Sequence, residues 1–135
     1  RIKPEVFDAI HQLPEESALC HGDLHPGNAI MTDGGARLID WFDAASGTPA
    51  ADLARTCLLL QYARLNSAAQ TAAFAPHRQR FLEVFLERYR AELPQPANAL
   101  SHWFVPIAAA RTAEPILGQE RTTLLRVLET MLGAA

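Results

Sequence analysis

Residues 19–44 read LCHGDLHPGNAIMTDGGARLIDWFDA, and the reading of this stretch decides the fold. Gly22 and the pair Pro26–Gly27 interrupt regular structure, so Asp23 and Asn28 fall on one loop. Ala29–Thr32 and Ala36–Trp41 are short apolar runs joined by Asp33–Gly34–Gly35, a turn sequence that predicts a β-hairpin. The apolar run Ser17–His21 predicts a strand leading into the loop. A loop with Asp23 and Asn28, followed by a hairpin that ends in Asp40, can aim three oxygen-bearing side chains at one point.

Outward from this stretch the pattern becomes helical. Pro4–Leu13 predicts a short amphipathic helix with Val6, Ile10 and Leu13 near one face. After a loop over Ala44–Thr48, Pro49 stands at a first helical position and opens a helix over Thr48–Leu65. That helix is apolar almost all round, which predicts a central position. Further helices are predicted over His77–Leu93, Ala97–Ala113 with a kink at Pro106, and Arg121–Leu132. The aromatic residues Phe81, Phe85 and Tyr89, and the pair Trp103 and Phe104, read as core. The fold class is α+β, mainly α: a small β-hairpin at the loop packed on a helical bundle.

Composition sets the outer limits. The 135 residues are one domain's worth of chain, 49% hydrophobic and 20% charged, so residues 1–135 should fold as a single globular domain. A net charge of −3 with no basic run argues against nucleic acid. No stretch reads as a membrane span or a signal peptide, and Cys20 and Cys57 are too few for a disulfide scaffold. The expected setting is reducing and cytoplasmic.

Phosphoryl transfer needs a carboxylate that orients the attacking hydroxyl and accepts its proton, together with oxygen ligands for magnesium. The order His21-x-Asp23-x-x-x-x-Asn28, hairpin, Asp40 is that of the protein-kinase catalytic loop and metal-binding aspartate. HGDLHPGN (21–28), LIDWFDA (38–44) and GTPAADLA (47–54) together closely resemble the aminoglycoside phosphotransferase and choline kinase-like family, which shares the protein-kinase fold. The likeness is strong over residues 19–60 and general thereafter.

This resemblance implies an ATP-dependent kinase acting on a hydroxyl of a small molecule. It implies that Asp23 is the catalytic base and that Asn28 and Asp40 are the Mg2+ ligands through which Mg-ATP is held. His21 would be a structural member of the catalytic loop, and Asp52 the buried aspartate that holds that loop through its backbone amides. Trp41 stands where protein kinases carry a phenylalanine. Gly47–Thr48–Pro49 departs from the Gly-Asp-Pro frequent in the family.

A kinase of this type also needs an N-terminal lobe with a Gly-rich loop over the phosphates and a strand lysine paired with a helix glutamate. No G-x-G-x-x-G or G-x-x-x-x-G-K occurs, and Lys3, the sole lysine, precedes a helix. The chain is therefore expected to be the C-terminal lobe alone, inactive by itself, with the other lobe in cis if the protein is longer.

Other readings compete. His21, Asp23 and His25 form an H-x-D-x-H cluster that suits a metal-dependent hydrolase, although His11, His77 and His102 lie in helical segments without paired spacing. A non-catalytic kinase-like binding module would keep the fold and lose the activity. Asp and Asn singly are turn formers, and Asp33 reads that way beside Gly34; His25 reads as a solvated loop residue. Asp43 is either a further acid near the metal or a surface carboxylate, and Asp52 could be a carboxylate placed only for the helix dipole. Asp43, Glu114 and Glu120 are acids that would suit an amino sugar or choline, but they are too scattered to identify the acceptor.

Overall fold

The computed structural model describes residues 4–64 and 67–133. Lys3 and Leu65, the end of one predicted helix, lie outside the described residues. The chain runs α1 (Pro4–His11), β1 (Ala18–Cys20), a 3₁₀ turn (Pro26–Asn28), β2 (Ala29–Thr32), β3 (Gly35–Leu38), a second 3₁₀ turn (Trp41–Asp43), β4 (Ala45–Gly47), α2 (Pro49–Tyr62), α3 (Ala68–Glu92), α4 (Ala99–Ala113) and α5 (Gly118–Gly133). It is mainly helical, with two small antiparallel sheets. Among the described residues no helix is long and apolar enough to cross a membrane.

Helix α2 is the axis of the molecule, as its apolar circumference requires. Pro49 occupies its first turn, where a missing N–H costs nothing. One flank buries Leu58 against Val6, Ala108, Ala109, Leu124 and Leu128, drawing in α1, α4 and α5. The other buries Leu53, Cys57 and Leu60 against Leu82, with Phe85, Leu86, Tyr89 and Leu100 closing over them. Burial pushes the Cys57 thiol up to about 11 despite the opposing charge of Arg90. Truncating a fully enclosed leucine such as Leu58 would cost about 2–5 kcal/mol.

β2 and β3 form a hairpin where one was expected, registered Ala29↔Leu38 to Thr32↔Gly35, but the turn is Asp33 and Gly34 alone and β3 ends at Leu38, short of Trp41. Gly35 has φ +101, and the Thr32 hydroxyl donates to its carbonyl at 2.7 Å. The hairpin is not packed on the bundle along its length, because every residue from 30 to 38 is exposed. The sheet that meets the helices is the other one, β1 with β4, registered Ala18↔Gly47 to Cys20↔Ala45, and β1 lies against α2.

Several boundaries differ from expectation for local reasons. The predicted loop over Ala44–Thr48 contains β4, three residues whose strand character comes entirely from pairing with β1. Helix α3 begins nine residues before His77: Ser67 Oγ accepts the Gln70 N–H at 3.1 Å and starts it, and Pro76 is tolerated inside. Pro76 cannot donate to the Ala72 carbonyl, and Ala72 is exposed, where water can serve that oxygen. Helix α1 ends at His11, short of Leu13, and α5 begins at Gly118, ahead of Arg121. Phe81, expected in the core, is 41% exposed, whereas Phe85 and Tyr89 pack as expected. Trp103 and Phe104 are half-buried.

Candidate active site

The loop from His21 to Asn28 is built on backbone bonds to α2. Asp52, in the first turn of α2, accepts the His21 N–H at Oδ2 and the Gly22 N–H at Oδ1, each at 2.8 Å. Arg55, one turn on, donates from Nε to the Gly22 carbonyl at 3.2 Å. Gly22 is thus held at both its N–H and its carbonyl. Its φ of +80 lies where a side chain is strained, and a Cβ there would sit 2.5 Å from the Asp43 carbonyl oxygen. Only glycine permits this approach of the 3₁₀ turn Trp41–Asp43.

His21 is 3% exposed and uses both ring nitrogens. Nε2 pairs with the Ile39 carbonyl at 2.9 Å, so it carries the proton, and Nδ1 accepts the Asp23 N–H at 3.3 Å. The ring also lies 4.5 Å from the Trp41 ring, between centroids, at 43°. Through these contacts the histidine ties the loop to the end of β3, just before Asp40.

Asn28 is buried, and its carboxamide is oriented: Nδ2 donates to the Asp23 carbonyl at 2.9 Å and approaches Asp23 Oδ2 at 3.3 Å. With the nitrogen committed, the amide oxygen is the end that can serve a cation. The Ile39 N–H donates to the Asn28 carbonyl at 3.0 Å, extending the hairpin register by one pair, so Asp40 follows directly on the residue opposite Asn28. Asp40 is exposed and has φ 61, ψ 58, the only non-glycine residue with positive φ among those described. Strain of this kind persists where surrounding contacts over-determine the backbone; here the His21–Ile39 bond precedes the strained residue and the 3₁₀ turn follows it. A carboxylate and an oriented amide oxygen are hard oxygen donors, the chemistry that suits Mg2+.

Asp23 has its carboxylate 3.5 Å from His25 Nε2 and 4.0 Å from an Arg55 nitrogen. His25 Nδ1 in turn accepts the Gly27 N–H at 3.0 Å, capping the 3₁₀ turn. The H-x-D-x-H alternative fails on this geometry. Both nitrogens of His21 are spent within the fold, one nitrogen of His25 is a cap, and no group of three or more His, Cys, Asp or Glu among the described residues could hold a metal ion.

Behind Asp23 runs a charged chain that sequence reading missed. Arg55 pairs with both oxygens of Glu114, Arg111 bonds the same carboxylate, and Arg111 Nε also bonds Glu120 at 2.9 Å. The other oxygen of Glu120, which is 3% exposed, accepts the Arg64 N–H at 3.1 Å. Burial opposes the Glu114 charge, but Arg55 and Arg111 outweigh it and hold the carboxyl below its ordinary value. Glu114 and Glu120, acids left open as acceptor ligands, are therefore committed to arginines. The available signal was Arg55 itself, a guanidinium on a helix otherwise apolar from Leu53 to Leu60 apart from Thr56, which requires a counter-charge. Beside Asp23 opens a cavity of about 580 Å³, floored by Leu59, Leu60 and Phe74.

A family model described as the phosphotransferase enzyme family matches residues 2–98. No curated protein and no solved structure matches the chain.

Proposed function

The chain belongs to the phosphotransferase enzyme family, and from that premise we propose that it serves the transfer of the ATP γ-phosphate to a hydroxyl of a small molecule, as the C-terminal lobe of a protein-kinase-like fold. The observation that carries the reading is the Asn28 carboxamide bonded to Asp23 on a loop clamped by Asp52, with the Asn28 backbone paired to Ile39, the residue before Asp40. Asp23, at the mouth of the cavity, orients the acceptor hydroxyl and takes its proton as the oxygen attacks phosphorus. Asn28 Oδ1 and the Asp40 carboxylate would hold magnesium. That ion, when bound with the nucleotide, supplies neutralisation of phosphate charge. His21 and Asp52 take no part in proton movement; they fix where Asp23 stands.

No Gly-rich phosphate loop is encoded in these 135 residues. The nucleotide clamp must come from outside them, and the 135 residues alone transfer no phosphate.

The test is steady-state kinetics on the protein carrying its clamp. Asp23→Asn should lower kcat about 10²–10⁴-fold with ATP affinity retained, and Asp40→Asn should raise the magnesium requirement. Loss of magnesium dependence with Asp23→Asn, and intact turnover with Asp40→Asn, would reverse the assignment of base and ligand. ATP turnover by the 135 residues alone, above an Asp23→Ala control, would refute the need for a clamp.

A further inference from the structure

The cavity beside Asp23 is lined, among the described residues, by Arg64, Arg78 and Arg111 and by one carboxylate, Asp23 itself. Arg111 is neutralised by Glu114 and Glu120, neither of which lines the cavity. The other two differ. Among the described residues no carboxylate lies within ion-pair distance of Arg64 or Arg78. The Arg78 guanidinium is nonetheless fixed in place. It donates to the Leu60 carbonyl at 2.7 Å and to the Ala63 carbonyl at the end of α2, and it lies over the Phe74 ring at 5.2 Å.

Two neutral carbonyls leave a full positive charge and further N–H donors unanswered in a half-buried position. Burial and the neighbouring Arg64 both disfavour that charge, with Glu120 only partly offsetting them. An anion in the cavity would answer both guanidiniums. A cationic acceptor would meet them as like charges, and the one acid it could reach is the proposed base.

Resting on the phosphotransferase reading above, we propose that the acceptor is an alcohol that also carries an anionic group, carboxylate or phosphate, bound by Arg64 and Arg78. The charges orient it: the anion lies toward Arg64 and Arg78, and the hydroxyl toward Asp23. Leu59, Leu60 and Phe74 meet its carbon frame, and a volume of about 580 Å³ suits a molecule of sugar size.

The test is calorimetric titration, without nucleotide, of four molecules on one scaffold: glucuronate, glucose 6-phosphate, glucose and glucosamine. At least one anion should bind roughly tenfold to a hundredfold more tightly than glucose, the worth of hydrogen bonds to a charged group, and glucosamine should bind no more tightly than glucose. Which anion wins separates carboxylate from phosphate. Arg64→Gln, on an exposed side chain, should remove about tenfold of the preference, and so should Arg78→Gln. Because Arg78 also ties the end of α2, a thermal melt accompanies that variant, and Arg64→Gln carries the test if it unfolds. Tightest binding by glucosamine, equal binding of all four, binding by none, or a preference that survives Arg64→Gln would overturn the proposal. Anion preference with no phosphorylation by Mg-ATP in the protein carrying its clamp would instead refute the function and leave this site standing.

Discussion

Asp52→Asn separates what holds the loop from what acts on it. The carboxylate accepts two backbone N–H groups 2.8 Å away, one on each oxygen. A carboxamide keeps one acceptor and turns an NH2 toward the other N–H, so one bond is lost to a donor–donor contact and the survivor loses its charge assistance. Hydrogen bonds to charged groups are worth about 1.5–3 kcal/mol each, which sets the loss at about 2–3 kcal/mol. In a chain of this size 1 kcal/mol moves Tm by about 3–5 °C, so the variant should melt about 6–15 °C lower. Asp23→Asn is the control. Its carboxylate makes only contacts of 3.3 Å and longer and is 29% exposed, so its Tm should move by no more than about 3 °C. The assay is circular dichroism melting combined with amide exchange, in which the His21 and Gly22 amides should lose protection selectively in Asp52→Asn. An unchanged Tm with both amides still protected would refute the reasoning.

Gly22→Ala and Gly35→Ala form a second pair. Both glycines have positive φ, but a Cβ on Gly22 meets the Asp43 carbonyl at 2.5 Å while one on Gly35 meets nothing within 4 Å. Gly35→Ala should therefore cost only the left-handed strain of about 1–2 kcal/mol, and Gly22→Ala clearly more, as read from urea midpoints. Glu114→Gln should change the acid limb of stability. The folded carboxyl lies below its ordinary value of 4.5, so its contribution is complete above that pH and is lost as pH falls through the folded value. The variant should be less stable at neutral pH and show a shallower decline of Tm on acidification, and parallel declines would contradict this.

Local chemistry made α2 and the hairpin legible: a proline at a helix start, an apolar circumference, an Asp-Gly turn. The order of Asp23, Asn28 and Asp40 is plain in the sequence, and the loop and hairpin pair the Asn28 backbone with Ile39, next to Asp40. What escaped depends on distant partners. β4 has no strand pattern of its own and exists through pairing with β1. The predicted start of α3 at His77 was late: Pro76, just before it, is tolerated inside the helix because the Ala72 carbonyl that it leaves unbonded is exposed to water. The pairing of Arg55 with Glu114 was not legible, since the link spans 59 positions and no periodicity reports it.

That link has a consequence for modularity. The family match ends at residue 98, yet Arg55 inside it takes its counter-charge from Glu114 outside it, and Leu58 takes its packing from α4 and α5. A chain cut at the edge of the match would keep the whole signature and strand a guanidinium beside the base, over an opened core. The segment that the family match recognises is shorter than the set of helices packed around α2.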